Sequence, residues 1–123
     1  MKSYTDLEQS KKLAEILPLE SADMCWTNHC YGRIRSSMTI SAKSIYEYKK
    51  LLDRFADSTS IDIFYPAWSI AALYSVLPTF TLDSSDDKYF RIHCCHKFSE
   101  WHNNPVDAAF EMILKLHEQN INI

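Results

Sequence analysis

The 123-residue chain contains a single glycine, Gly32. That excludes the glycine-built phosphate cradles, both the G-x-G-x-x-G turn and the P-loop. It also leaves turns to Asn, Asp, Ser and Pro. Long apolar runs are missing too, and none approaches the roughly 20 residues a membrane-spanning helix needs. Lys and Arg never cluster beyond a pair or one helical face, and the net charge is −3. Long-range electrostatics therefore gives no support for nonspecific nucleic-acid binding. There is no C-x-x-C, and no H-x-E followed by P-C-x-x-C, which removes standard zinc fingers and zinc deaminases. Met1 to Asp6 is polar and runs into a charged helical pattern, so no secretory signal is expected. The expected setting is a cytoplasm, where Cys25, Cys30, Cys94 and Cys95 would stay reduced.

What the chain does have is aromatic rings, at 13%, within a 46% hydrophobic composition. Its length suits one domain, residues 1–123, with one core. The best-marked element is the last. Asn104 can cap a helix, Pro105 suits its first position, and Asp107 opposes the positive end of its dipole. Val106, Ala109, Phe110, Ile113, Leu116 and His117 recur on one face, widened by Leu114. Near the other end, Thr5-Asp6-Leu7-Glu8 reads as a capping box with Thr5 as the cap, opening a helix that Pro18 stops after about Leu17. Its apolar side is Leu7, Leu13, Ala14, Ile16 and Leu17.

The middle alternates. Met24–Trp26 and Arg33–Ile40 suggest a hairpin turning near Asn28 to Gly32. Ile45, Tyr48, Leu52 and Phe55 predict a helix over about Lys43 to Phe55, capped by Ser41 or Ser44. Ile61–Tyr65 reads as extended. Pro66 to Leu77 reads as a nearly all-apolar helix, the candidate for the centre of the core. Thr79–Leu82 and Lys88–Phe98 form the clearest β-hairpin, with Asp83–Asp87 as its turn. In that second strand Phe90, Ile92, Cys94, His96 and Phe98 would share the core face, with Tyr89, Arg91, His93, Cys95 and Lys97 opposite. Adjacent Cys94 and Cys95 would then point apart. The fold expected is α+β: a small antiparallel sheet around hairpin 79–98, packed by about four helices.

Three kinds of chemistry can be drawn. Cys25, Cys30, Cys94 and His96 could supply a four-ligand zinc set if distant parts of the chain converge; otherwise Cys94 is a small core residue. Cys25 or Cys95 with a histidine could form a nucleophilic pair, given adjacency in a cleft. Arg33 and Arg35 with Tyr46 and Tyr48 could hold a nucleotide-type ligand, though a solvated helix face explains them as well. Trp26, Trp68 and Trp101 suit core anchoring, with Trp101 the one expected to be exposed. No cofactor is required by any motif, and no catalytic residue stands out.

Three blocks taken together carry a resemblance: Leu17-Pro18-Leu19-Glu20-Ser21-Ala22-Asp23-Met24, Pro66-Ala67-Trp68-Ser69-Ile70-Ala71-Ala72-Leu73 with Leu77-Pro78, and Asn104-Pro105-Val106-Asp107-Ala108-Ala109-Phe110-Glu111-Met112-Ile113-Leu114-Lys115-Leu116-His117-Glu118. In this order they resemble a family of small uncharacterised proteins of Bacteroides-group gut bacteria and their phages and prophages. The resemblance implies a cytoplasmic protein tied to mobile elements and transfers no catalytic residue. The function expected is a non-catalytic accessory protein that binds a protein partner, with homo-oligomerisation left open. The alternatives are a small-molecule binder and a Cys/His zinc protein, with Trp101 added to Arg33, Arg35, Tyr46 and Tyr48 as candidate binding residues.

Overall fold

The computed structural model describes residues 1–27, 30–31, 34–35, 38–42, 44, 47, 64–86 and 88–121. The protein is α+β, with two small antiparallel three-stranded sheets and three α-helices among the described residues. The helix expected over about Lys43 to Phe55 lies largely outside them. Ser44 Oγ does accept from the Glu47 N–H at 3.3 Å, as a cap would. The chain divides into two compact units, residues 6–68 and residues 1–5 with 69–123.

In the first unit, helix α1 (Leu7–Ala14) starts one residue later than the Thr5 box predicts. Asp6 caps it. Its carboxylate accepts from the Gln9 N–H at 2.8 Å, and the Gln9 side chain accepts from the Asp6 N–H at 3.1 Å. Thr5 is fully buried and belongs to the other unit, so the exposed Asp6 takes the role. The helix also ends earlier than expected, and residues 15–17 form a turn that still buries Leu17. A 3₁₀ turn, Leu19–Ser21, leads to strand β1 (Met24–Thr27).

Strand β1 is central in its sheet, between β4 (Thr39–Ser41) and β5 (Phe64–Ala67). The expected first hairpin is present in pieces. Cys25 pairs with Ser41, and β2 (Cys30–Tyr31) pairs antiparallel with β3 (Ile34–Arg35), Tyr31 opposite Ile34. Pro66 and Ala67 are strand rather than the start of a helix. Pro66 lies opposite Cys25 on edge strand β5, where its missing N–H is tolerated. Lys11 Nζ lies 5.1 Å from the Tyr65 ring centre, so α1 lies against this strand. Trp68 ends the unit, fully buried, its indole N–H donating to Ser21 Oγ at 2.9 Å.

In the second unit, helix α2 (Ile70–Val76) is capped by Ser69, whose Oγ accepts from the Ala72 N–H. It is not buried on most sides as its composition suggested. Ala72 and Leu73 are buried while Ala71 and Ser75 are exposed, because one side packs on helix α3 (Pro105–Glu118). Helix α3 begins as expected, with Asn104 Oδ1 accepting from the Asp107 N–H at 2.8 Å. Its buried stripe is Val106, Ala108, Ala109, Met112, Ile113 and Leu116. Phe110 is only half-buried and His117 exposed, a rotation of the face from the one read off the spacing.

Helix α3 packs on the second sheet, in the order β6 (Phe80–Ser85), β7 (Tyr89–Cys94), β8 (Lys97–Phe98). The expected continuous strand 88–98 is broken. Cys95 (φ 53°) and His96 (φ 63°) form a two-residue turn, and Cys94 pairs with Lys97. Such turns normally use Asn-Gly, because both positions require positive φ. Each non-glycine residue held there costs roughly 1–2 kcal/mol. His96→Gly is therefore expected to stabilise the chain by about 1 kcal/mol. A urea-unfolding midpoint that falls in that variant would contradict this account.

Candidate functional site

The turn at Cys95-His96 changes which side chains share a face. Ile92 and Cys94 point to the buried side, as the alternation of β7 requires. Phe98 does not join them. It pairs opposite His93 and so lies on the face of Tyr89, Arg91 and His93. The rings of His93 and Phe98 stack, with centres 4.1 Å apart and planes 8° from parallel.

The link after β8 continues alongside β7 with one extra residue. The Ser99 N–H donates to Ile92 O at 2.9 Å, and the Ile92 N–H donates to Ser99 Oγ at 2.9 Å. Further along, Phe90 and His102 exchange two backbone bonds of 2.7 and 2.9 Å. Phe98 thus opposes residue 93 while His102 opposes residue 90, a bulge at Ser99-Glu100. The bulge brings Trp101 level with Arg91, whose guanidinium carbon lies 4.6 Å from the Trp101 ring centre and 4.5 Å from that of Phe98. Asp83, across on β6, holds the same guanidinium, with Nη2 and Nε at 3.0 and 3.2 Å from Oδ2.

The outcome is a ring cluster in which Phe98 and Trp101 flank one cation. Tyr89, Phe98 and Trp101 remain 51%, 46% and 44% exposed, although each is large enough to belong in a core. Ser85, Tyr89 and Trp101 line an open cavity of about 320 Å³. That volume is at the small end of ligand pockets and has room for one or two side chains.

Helix α3 fixes the segment that presents these rings. Glu111 accepts from the Glu100 N–H at 3.0 and 3.1 Å and contacts His102 Nε2 at 2.8 Å. Lys115 donates to Phe98 O at 2.7 Å and pairs with Glu111 at 3.0 Å. Burial pushes the Glu111 carboxyl up, but His102, Lys115 and the Glu100 N–H together outweigh it and hold the pKa below the usual value. A carboxyl whose folded pKa is depressed stabilises the fold above its unfolded pKa, and loses that contribution as pH falls through the folded value. Glu111→Gln is accordingly expected to lose about 0.5–1 kcal/mol at pH 7, the group being partly solvated. The gap to the unsubstituted chain should close below pH 4.5. Paired urea titrations at pH 7 and in acid check this, and a gap that persists in acid would overturn it.

Of the residues singled out by sequence, Trp101 is in the cluster. Arg33, Tyr46 and Tyr48 lie outside the described residues. So do the side chains of Arg35 and Cys30, whose backbones belong to β3 and β2. Cys25 is fully buried in β1, where burial pushes its thiol up to about 11 against a smaller opposing effect of the Ser41 hydrogen bond. A thiol so held is protonated at neutral pH and suits packing rather than attack. Cys94 and His96 line a second cavity, of about 250 Å³, with His93 and Cys95. Among the described residues, no three His, Cys, Asp or Glu side chains converge as a metal site would require.

Arg91, Asp83, Phe98, Tyr89 and Glu111 carry the cluster and were not singled out by sequence. Alternation along β7 did place Tyr89 and Arg91 on the non-core face. Nothing local marks the Ser99-Glu100 bulge or the reach of Glu111. Asp83, read as the first residue of the hairpin's turn, is instead the strand partner of Arg91. No protein-family model, curated protein or solved structure matches this chain.

Proposed function

We propose that this chain is a non-catalytic binding protein whose working surface is the Tyr89–Arg91–Phe98–Trp101 cluster, and whose partner is another protein. The carrying observation is that three large rings stand half-exposed, two of them against Arg91, while α3 secures the backbone beneath Phe98 and Trp101. Trp, Tyr and Arg are the residues that dominate binding energy at protein interfaces, and they do so when pre-positioned. The Ser85–Tyr89–Trp101 cavity supplies a seat for one apolar or aromatic side chain of the partner. Asp83 already offsets the Arg91 charge, which favours a protein surface over an anionic nucleotide. The resemblance to phage and prophage proteins adds a context, an accessory protein of a mobile element, and rests on sequence blocks alone.

The test begins with a photoreactive phenylalanine at position 89, used to trap and identify the partner. Its affinity is then measured with purified components. Trp101→Ala should weaken binding ten-fold or more, the scale of one interface hot spot. Lys12→Ala on α1 should leave affinity unchanged. A partner bound equally well by Trp101→Ala would remove this reading.

A further inference from the structure

Strand β6 has a neighbour on one side only, and its other edge is bare among the described residues. Antiparallel geometry decides which backbone groups lie there. In such a ladder the N–H and C=O of one residue point to one side, and those of the next residue to the other. Phe90 directs its pair to His102 and Ile92 directs its own to Ser99, both away from β6. Tyr89, Arg91 and His93 therefore face β6, where they meet Ser85, Asp83 and Thr81. What remains for the open edge is the N–H and C=O of Phe80, Leu82 and Ser84.

Exposed edges are usually guarded by lysine, proline or a bulge, because their free backbone groups are a template for another strand. Strand β6 has none of these guards. Its sequence is Phe-Thr-Leu-Asp-Ser-Ser, and its register with β7 is unbroken from residue 80 to residue 85. Its one charge, Asp83, is already paired with Arg91. Thr81, Leu82 and Ser84 are exposed. Leu82 is 41% exposed even though it lies across from fully buried Ile92.

The strand is also complementary to itself. We propose that β6 pairs antiparallel with β6 of a second copy, about a two-fold axis at Leu82, joining the two sheets into one. Leu82 then meets Leu82 of the second copy and Phe80 meets its Ser84, so every outward N–H and C=O is paired. An axis at Thr81 would set Ser84 against Pro78, which has no N–H to donate. An axis at Asp83 would oppose two carboxylates. The axis at Leu82 instead sets Thr81 beside Asp83 of the second copy, in the close pairs whose Cα atoms stand about 4.5 Å apart. Asp83 holds Arg91 through Oδ2, which leaves Oδ1 to accept from that Thr81 hydroxyl. The two Leu82 side chains cover one another. Because the edge is used rather than the face, both ring clusters end on the same side of a continuous sheet.

The experiment is sedimentation velocity of the full chain over a range of concentrations, and a monomer–dimer equilibrium is expected. Leu82→Pro removes an outward N–H and none that faces β7, and should weaken dimerisation about ten-fold or more. Thr81→Asp, at an exposed position, sets a carboxylate beside Asp83 of the second copy and should weaken it likewise. Lys12→Ala on α1 makes the same change in net charge and should leave the dimer intact. Leu82→Cys tests the register. Opposed residues in a hydrogen-bonded pair have Cα atoms about 5.5 Å apart, within the disulfide range of about 4.4–6.8 Å. Mild oxidation should therefore link two Leu82→Cys chains beyond any linkage of the unsubstituted chain. A dimer indifferent to both Leu82→Pro and Thr81→Asp, or no added linkage through position 82, would overturn the proposal. So would a chain that stays monomeric up to about 1 mM, which would leave the edge to a strand of another protein.

Discussion

Trp68→Ala is expected to lower stability by about 3–5 kcal/mol, the cost of emptying a large buried aromatic site. Against the 5–15 kcal/mol that holds a typical domain together, that is a large fraction. Trp68 is fully buried, and its N–H has a specific acceptor in Ser21 Oγ. Ser21 in turn donates to Pro18 O at 2.6 Å, which fixes the hydroxyl's direction. A tryptophan needs such a partner when buried, because its indole donor is otherwise stranded away from water. Ser21→Ala should therefore cost about 1–3 kcal/mol although it removes only one oxygen. Trp68→Phe keeps much of the volume and should fall between the unsubstituted chain and Trp68→Ala. Urea unfolding followed by circular dichroism measures all three. A Trp68→Ala loss below about 1 kcal/mol would mean that the site collapses and that this packing account is wrong.

The second large effect is expected at Ile92. Ile92→Ala should cost about 2–5 kcal/mol and Ile92→Val about 0.5–1.5 kcal/mol. The residue is fully buried in β7, the central strand of its sheet, which packs on α3. Its backbone N–H and C=O both bond to Ser99, at the bulge that brings Trp101 level with Arg91. Truncation should thus have two signatures: a lower unfolding midpoint, and a loosened ring cluster visible in Trp101 fluorescence. A valine variant that costs as much as alanine would show that strand distortion, rather than lost volume, sets the effect.

The two ends of the fold were legible because their signals are local. Asn104-Pro105 and Asp107 mark a helix start by hydrogen bonding and fixed φ alone, and α3 begins there. The start of α1 was misread by one residue, since Thr5 and Asp6 are both good caps and only burial of Thr5 separates them. Pro66 was read as a helix opener because a proline at an edge-strand position and one at a helix start look alike in sequence. The difference depends on pairing with Cys25, some forty residues earlier.

The candidate site was less legible for a related reason. A strict period of two carried from Lys88 to Phe98 assigned faces correctly as far as Cys94. It failed beyond, because two non-glycine residues adopt positive φ against their preference. Phe98 changed sides with that turn, and the bulge that follows set Trp101 beside Arg91. Glu111 and Lys115 reach that segment from a helix more than ten residues on, a contact no window of sequence reveals.

The arm at residues 1–5 has a kinetic consequence. Tyr4 bridges to Ser69, Ser3 O accepts from the Ile70 N–H, and Lys2 pairs with Asp107 at 2.8 Å, 105 positions away. Closing a loop of that length costs roughly 4 kcal/mol of chain entropy before any contact offsets it. Residues 6–68, between the arm and its docking place, have pairings of their own to complete. One of the chain's earliest segments is therefore expected to be among the last ordered, which pulse-labelling hydrogen exchange at Tyr4 and Ile70 would check. On that expectation, docking of the arm marks the completion of the 69–123 portion.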